Sequence, residues 1–203
     1  MELTHRWRDH NLTRLELVVA WLIIVVIIGA FIRSMLVIFT RAERTMVNTT
    51  INNINTALKY RTAIAVMRGD TKFLAALAQQ NPFTFVQNQQ ALKLTPGKNR
   101  LNDLSAGFSA YYTPPSNYLG ELDDPDPATL KAGNWYFDKS DKTLNYLVNN
   151  GEYFHGDLGK IPRIKLKVIV NYNDLNGNNH FDPGIDEFKS ISLRSIGKYS
   201  WTE

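Results

Sequence analysis

Cysteine is absent from this chain of 203 residues. That absence removes disulfide staples, thiolate metal sites and cysteine nucleophiles together. It leaves the compartment open, because a cysteine-free protein folds equally well in oxidising and reducing surroundings. Histidine is scarce, with 4 residues: His5 and His10 ahead of the main apolar stretch, His155 and His180 in loop-like sequence. No HExxH pair, phosphate-cradling glycine loop or Ser/His/Asp order accompanies them, so nothing in the sequence argues for an enzyme. Clustered charge is missing as well. The 23 basic and 19 acidic residues leave a net charge of +4, but the basic residues are scattered. Nucleic-acid binding, which needs a basic footprint on one face or along one helix, is not expected.

What the chain does have is one long apolar run. Its mean hydropathy of −0.26 is that of a soluble protein, so the apolar content that matters is local. Leu17 to Ile32 reads LVVAWLIIVVIIGAFI, sixteen residues without charge or proline, and the run resumes at Met35–Phe39 after Arg33 and Ser34. A helix from Leu15 to Phe39 would be ~37 Å long, enough to cross a hydrocarbon core of ~30 Å. A secretory signal would end in small residues at a cleavage site; here MLVIF follows instead. A buried helix of a soluble domain would need covering on every face, which takes more protein than this chain supplies. A single-pass membrane anchor is therefore expected. Arg6, Arg8 and Arg14 flank one side and Arg33, Arg41 and Arg44 the other, so arginine count does not orient it.

Glu16 stands at the head of the apolar run. A carboxylate inside a membrane helix is costly and usually has a partner, whereas at headgroup level it is merely solvated or paired with Arg14. The surrounding residues, Leu12-Thr13-Arg14-Leu15-Glu16-Leu17-Val18-Val19, resemble the start of mature type IV pilins and of type II secretion pseudopilins. In that family an aromatic or aliphatic residue, Thr, Leu, Ile, Glu and Leu precede a long apolar run. The resemblance implies a mature first residue at Leu12, a prepilin peptidase junction between Asn11 and Leu12, and an assembly contact at Glu16 with the free amine of a neighbouring subunit. It further implies an inner-membrane protein with its N-terminus in the cytoplasm and its C-terminal domain periplasmic or extracellular. Partners would be the membrane, other pilins or pseudopilins, and inner-membrane pilus assembly proteins. Three residues depart from the family pattern: Asn11 stands where the leader ends in glycine, Arg14 replaces an apolar residue, and Arg33 interrupts the run. The first departure implies a leader retained or poorly cut.

From Thr40 the chain turns polar with no proline or glycine before Gly69. Val47, Ile51, Ile54 and Leu58 recur at spacings of four, three and four, one stripe of a 3.6-residue helix. Arg44, Asn48, Asn52, Asn55, Lys59 and Arg61 fall on its other faces. One helix from about Leu12 to Arg68 is predicted, apolar all round in its first half and amphipathic in its second, stopping at Gly69-Asp70. A short helix follows over Thr71–Gln80, ended by Asn81-Pro82.

Strand signals come later. Gly107–Tyr112 is a candidate, and Tyr118–Gly133, with its Asp and Pro residues, reads as a surface loop. Asn134–Asp138 and Thr143–Asn149 read as a hairpin turning at Lys139-Ser140-Asp141. Arg163–Tyr172 and Lys189–Ser195 alternate apolar and polar residues. About four strands with one polar face imply an antiparallel sheet open to water on one side. The Val47–Leu58 stripe is the one amphipathic element long enough to cover its apolar face. The expected fold is thus α+β: a long pilin-type helix, transmembrane in its first half, packed on a small antiparallel β-sheet. The expected division is a leader-like segment 1–11, a transmembrane half 12–40, an amphipathic half 41–69, and a β-rich domain 70–203. The stretch GNWYFDKSDKTLNYLVNN is similar to the hairpin of pilin-like accessory proteins encoded with the mannose-sensitive haemagglutinin (MSHA) pilus. That resemblance implies a minor pilin-like subunit in type IV pilus assembly, with a type II secretion pseudopilin as its near neighbour.

One loop carries ligand chemistry. Asp174, Asn176 and Asn178 occupy positions one, three and five of a calcium-type loop, and Phe181 its apolar eighth position. The His180 backbone carbonyl and the carboxylates of Asp182, Asp186 or Glu187 would complete a shell for a structural Ca2+. Against this, Asn179 takes the usual glycine position, and Ile185 stands where a bidentate glutamate belongs. The same residues also suit a metal-free, Asx-rich turn. A membrane-tethered, calcium-dependent binding module is accordingly the alternative to a pilus subunit.

Overall fold

In the computed structural model, residues 14–87 and 114–202 are described; the candidate strand Gly107–Tyr112 lies outside them, as do Asn11 and Leu12. The chain divides into two compact units, Met1–Ala42 and Glu43–Glu203. Helix α1, Arg14–Met67, runs through both as 54 continuous residues.

The first unit is defined by what it leaves uncovered. Side chains from Leu15 to Phe39 are largely exposed, Trp21 at 60% and Phe31 at 64% among them. The helix is long and apolar enough to cross a membrane, its best window having a mean hydropathy of 2.9 with none of it buried. An apolar surface of this kind is stable only when another apolar phase covers it.

In the second unit the remainder of α1 serves as one wall of the core. Val47, Ile54 and Leu58 are fully buried and Ile51 partly so, as their spacing predicts. Each such side chain contributes about 1.5–3 kcal/mol when removed from water. Gly69, at φ +67°, ends the helix in the left-handed conformation, with the Asp70 N–H bonded back to the Ala65 carbonyl at 2.9 Å. The Asp70 carboxylate then caps α2 (Thr71–Leu77) by accepting from the Phe73 N–H at 3.0 Å. A further helix, α3 (Pro82–Gln87), follows. Asn81-Pro82, expected to end a helix, also starts one, because proline suits a first helical position and the Asn81 side chain accepts from the Phe83 N–H at 2.9 Å.

Seven strands follow: β1 (Tyr118–Leu122), β2 (Trp135–Asp138), β3 (Thr143–Leu147), β4 (Phe154–Gly156), β5 (Arg163–Asn173), β6 (Glu187–Ile196) and β7 (Tyr199–Trp201). Five form one sheet in the order β1-β2-β3-β5-β6, and β4 pairs with β7 in a second. The predicted hairpin is β2–β3, with Trp135 opposite Tyr146 and Phe137 opposite Leu144. The two long alternating segments are β5 and β6.

Three expectations are corrected. The sheet is not wholly antiparallel, because β1 runs parallel to β2. Residues 123–134 form a connection long enough to return the chain to the end at which it began, as a parallel pair requires. Tyr118–Gly133 is not all loop: β1 occupies its start, ahead of the Asp and Pro residues that break the ladder. Nor is the sheet open along one whole face. β3 is buried at every residue, Asn145 and Leu147 included, so side chains on both of its faces are covered. β5 keeps the alternation of a half-exposed strand along its first half, and β1 alternates throughout. The core closes around aromatic contacts, with the Trp135 and Tyr146 rings 4.8 Å apart and Phe83 edge-on to Tyr118 at 4.7 Å.

Candidate functional site

Glu16 lies in the first turn of α1 and is exposed. A carboxylate there also complements the positive end of the helix dipole.

The predicted metal loop, 174–187, joins β5 to β6. Asp174 spans the turn: one carboxylate oxygen accepts from the Gly177 N–H and the other from the Asn179 N–H, both at 2.7 Å. Gly177 and Asn179 supply the left-handed backbone the turn requires, at φ +74° and +59°. Asn176 and Asn178 direct their side-chain oxygens to the N–H groups of Asn178 and His180, and their amide nitrogens to one oxygen of Asp182 at 2.7 and 2.6 Å. These two donors hold the Asp182 carboxyl below the usual range, with burial opposing them. Ile185, at the twelfth position, is 57% exposed, whereas Asp186 beside it is 8% exposed and turns inward. Asp186 accepts from the N–H groups of Leu175 at 2.9 Å and Asp182 at 2.7 Å. Glu187 faces outward and accepts from Asn173 at 2.6 Å. Below the loop, Phe181 is buried between Tyr172 and Phe188, the anchoring expected of an apolar eighth position.

The donor set is that of a calcium site, all hard oxygen, but its present arrangement satisfies itself. Among the described residues no three His, Asp or Glu side chains stand together as metal ligands. A central cation requires the Asn176 and Asn178 amides to rotate, exchanging their bonds to Asp182 for bonds from oxygen to the metal.

The sequence reading missed four polar residues that the fold draws inward. Glu43 is 8% exposed and accepts four hydrogen bonds: from the Tyr146 hydroxyl at 2.8 Å, the Asn149 N–H at 2.6 Å, and the Asn150 N–H and side-chain amide at 3.1 and 2.7 Å. Burial, together with this neighbouring carboxylate, pushes the Tyr146 phenol well above its ordinary value. Asn55, assigned to a solvent face, instead pairs with the backbone of Leu193: it accepts from its N–H at 2.8 Å and donates to its carbonyl at 3.5 Å. Arg61, likewise assigned outward, is 8% exposed, and burial lowers its pKa. Asn81, 2% exposed, donates to the Tyr118 hydroxyl at 2.6 Å and to Glu121 at 2.9 Å. A signal for Glu43 and Arg61 existed. Glu43 is four residues before Val47 and Arg61 three after Leu58, so both continue the apolar stripe.

Comparison of the chain with protein-family models, with curated proteins and with solved structures finds no match.

Proposed function

We propose that this chain is a minor pilin-like, membrane-anchored subunit that takes part in assembling a type IV pilus of the MSHA kind. Its role is structural rather than catalytic. The observation that carries this reading is the division of α1: one continuous helix is apolar and uncovered over its first half, bears Glu16 in its first turn, and becomes a core wall of a β-rich unit over its second. An ordinary anchor needs neither the carboxylate nor continuity into the domain. In this reading the N-terminus lies in the cytoplasm and the β-rich unit beyond the inner membrane, and Glu16 contacts other subunits.

The test is Glu16→Ala in the native host. Removing a carboxylate from an apolar helix leaves membrane insertion intact or improves it, while recovery of other pilus components with the tagged chain falls. Unchanged recovery would remove the basis for the proposal.

The 174–187 loop supports a subsidiary role for calcium. With Asp174, Asp182, Asp186 and the rotated Asn176 and Asn178 as ligands, the ion would fasten the β5–β6 connection without entering any reaction.

A further inference from the structure

The outer face of the main sheet carries charge that the pilin-like reading leaves unused. Because Ile164, Leu166 and Val168 enter the core, Arg163, Lys165 and Lys167 project from the opposite face of β5. The β5–β6 register sets Lys167 directly across from Arg194. Like charges in that relation destabilise a sheet unless something of opposite sign compensates them. Asp141 feels the charge of Lys167, but its oxygens are engaged by Lys165 and Thr143. Arg194 reaches only as far as the Ser192 hydroxyl at 3.2 Å. Neither Lys167 nor Arg194 forms an ion pair with a carboxylate among the described residues.

The complement lies at the opposite margin of the same sheet. Past the end of β1, Asp123, Asp124 and Asp126 are exposed. Asp123 has a solvent-exposed ion pair with Lys139 at 2.6 Å, and Asp126 accepts from the Ala128 N–H. The other acidic segment, 174–187, has its carboxylates occupied by its own backbone and amides. β1 and β6 are the two edges of a five-stranded sheet, four strand spacings or roughly 19 Å apart. At that distance the patches cannot neutralise each other within one chain, but they can between two. A patch that meets a different patch on its neighbour makes a heterologous contact, which repeats rather than closing into a pair.

We infer that copies of this chain associate head to tail, the basic face at Lys167 and Arg194 of one copy meeting the acidic segment at Asp123–Asp126 of the next. This deepens the filament-subunit reading and rests on it for the common alignment of copies anchored in one membrane. Exposed pairs are individually weak, so the contact governs partner choice and register more than strength.

Energy transfer between full-length chains in phosphatidylcholine vesicles tests this. The absence of native cysteine allows one dye at Thr202→Cys. At low salt, transfer exceeds random mixing and declines as salt is raised. Lys167→Glu with Arg194→Glu, or Asp124→Lys with Asp126→Lys, each returns transfer to the random level, because every surface is then of one sign. Mixing the two reversed chains restores it, since each supplies what the other lacks. Reversals without effect, or no recovery on mixing, would overturn the inference. So would transfer that appears only with anionic lipid, which would assign the basic face to headgroups. If a reversed chain loses cooperative unfolding, Lys167→Gln and Asp124→Asn replace it, each expected to lower transfer part-way. Loss of this contact with Glu16-dependent recovery intact would refute the contact alone. Transfer that persists without such recovery would refute the pilus reading instead.

Discussion

Glu43 gathers four donors from the Tyr146 side chain and the segment just past β3. Removing the acceptor leaves buried donors unpaired, and each such group costs about 1–3 kcal/mol. Glu43→Ala is therefore expected to destabilise the β-rich unit by about 2–4 kcal/mol, and Glu43→Gln by less, because one carbonyl oxygen remains to accept. Urea unfolding of the detergent-solubilised chain measures both, and equal stability of Ala and wild type would contradict the account. The second residue-scale prediction concerns acid. Burial pushes the Asp141 carboxyl up, but hydrogen bonds from Lys165 and Thr143 and the charges of Lys165 and Lys167 outweigh it, so the folded pKa lies below the ordinary aspartate value. A depressed folded pKa means that Asp141 contributes stability above the unfolded value, and that this contribution fades as pH falls from there through the folded one. The pH dependence of unfolding in that acid window should flatten in Asp141→Asn and persist in Asp123→Asn, whose ion pair is solvent-exposed.

Among elements, β6 is an edge strand of ten residues, and an open edge of that length invites pairing with other chains. Asn55 of α1 occupies part of it by presenting an amide to the Leu193 backbone as a neighbouring strand would. Asn55→Ala should cost about 1–2 kcal/mol and raise the tendency to aggregate, followed by unfolding and by light scattering. The β5–β6 connection is the other element with a measurable consequence. Without a cation its turn is held by Asp174 and Asp186, so the loop keeps its course in chelator. With calcium at ten times a dissociation constant of about 10⁻⁴–10⁻³ M, the linkage term is about 1.4 kcal/mol, a rise of a few degrees in melting temperature. Melting curves of the full chain in calcium and in chelator should separate by that amount and coincide in Asp174→Ala. Coincident wild-type curves would leave the loop an Asx turn.

At the scale of the whole molecule, membrane attachment and processing are the testable properties. Asn11 stands where the resembling family has glycine, so N-terminal sequencing of protein from the native host is expected to find residues ahead of Leu12 on most molecules. A clean start at Leu12 would contradict this. The long apolar run, the continuity of α1, the β2–β3 hairpin and the alternation of β5 and β6 were all legible in the sequence, because each depends on neighbours within a few residues: a charge-free run, a 3.6-residue stripe, a two-residue period. The candidate loop was legible for the same reason, but the sequence left Asp186 and Glu187 as alternatives. Only the fold turned Asp186 inward, by bringing both ends of the loop onto the β5–β6 ladder. Tertiary structure alone also decided the parallel pairing of β1, the short second sheet, and the partners that Glu43, Asn55 and Asn81 find. These depend on which segment meets which across tens of residues. A polar side chain whose partner lies 138 positions away, as Leu193 does from Asn55, looks locally like any solvated one.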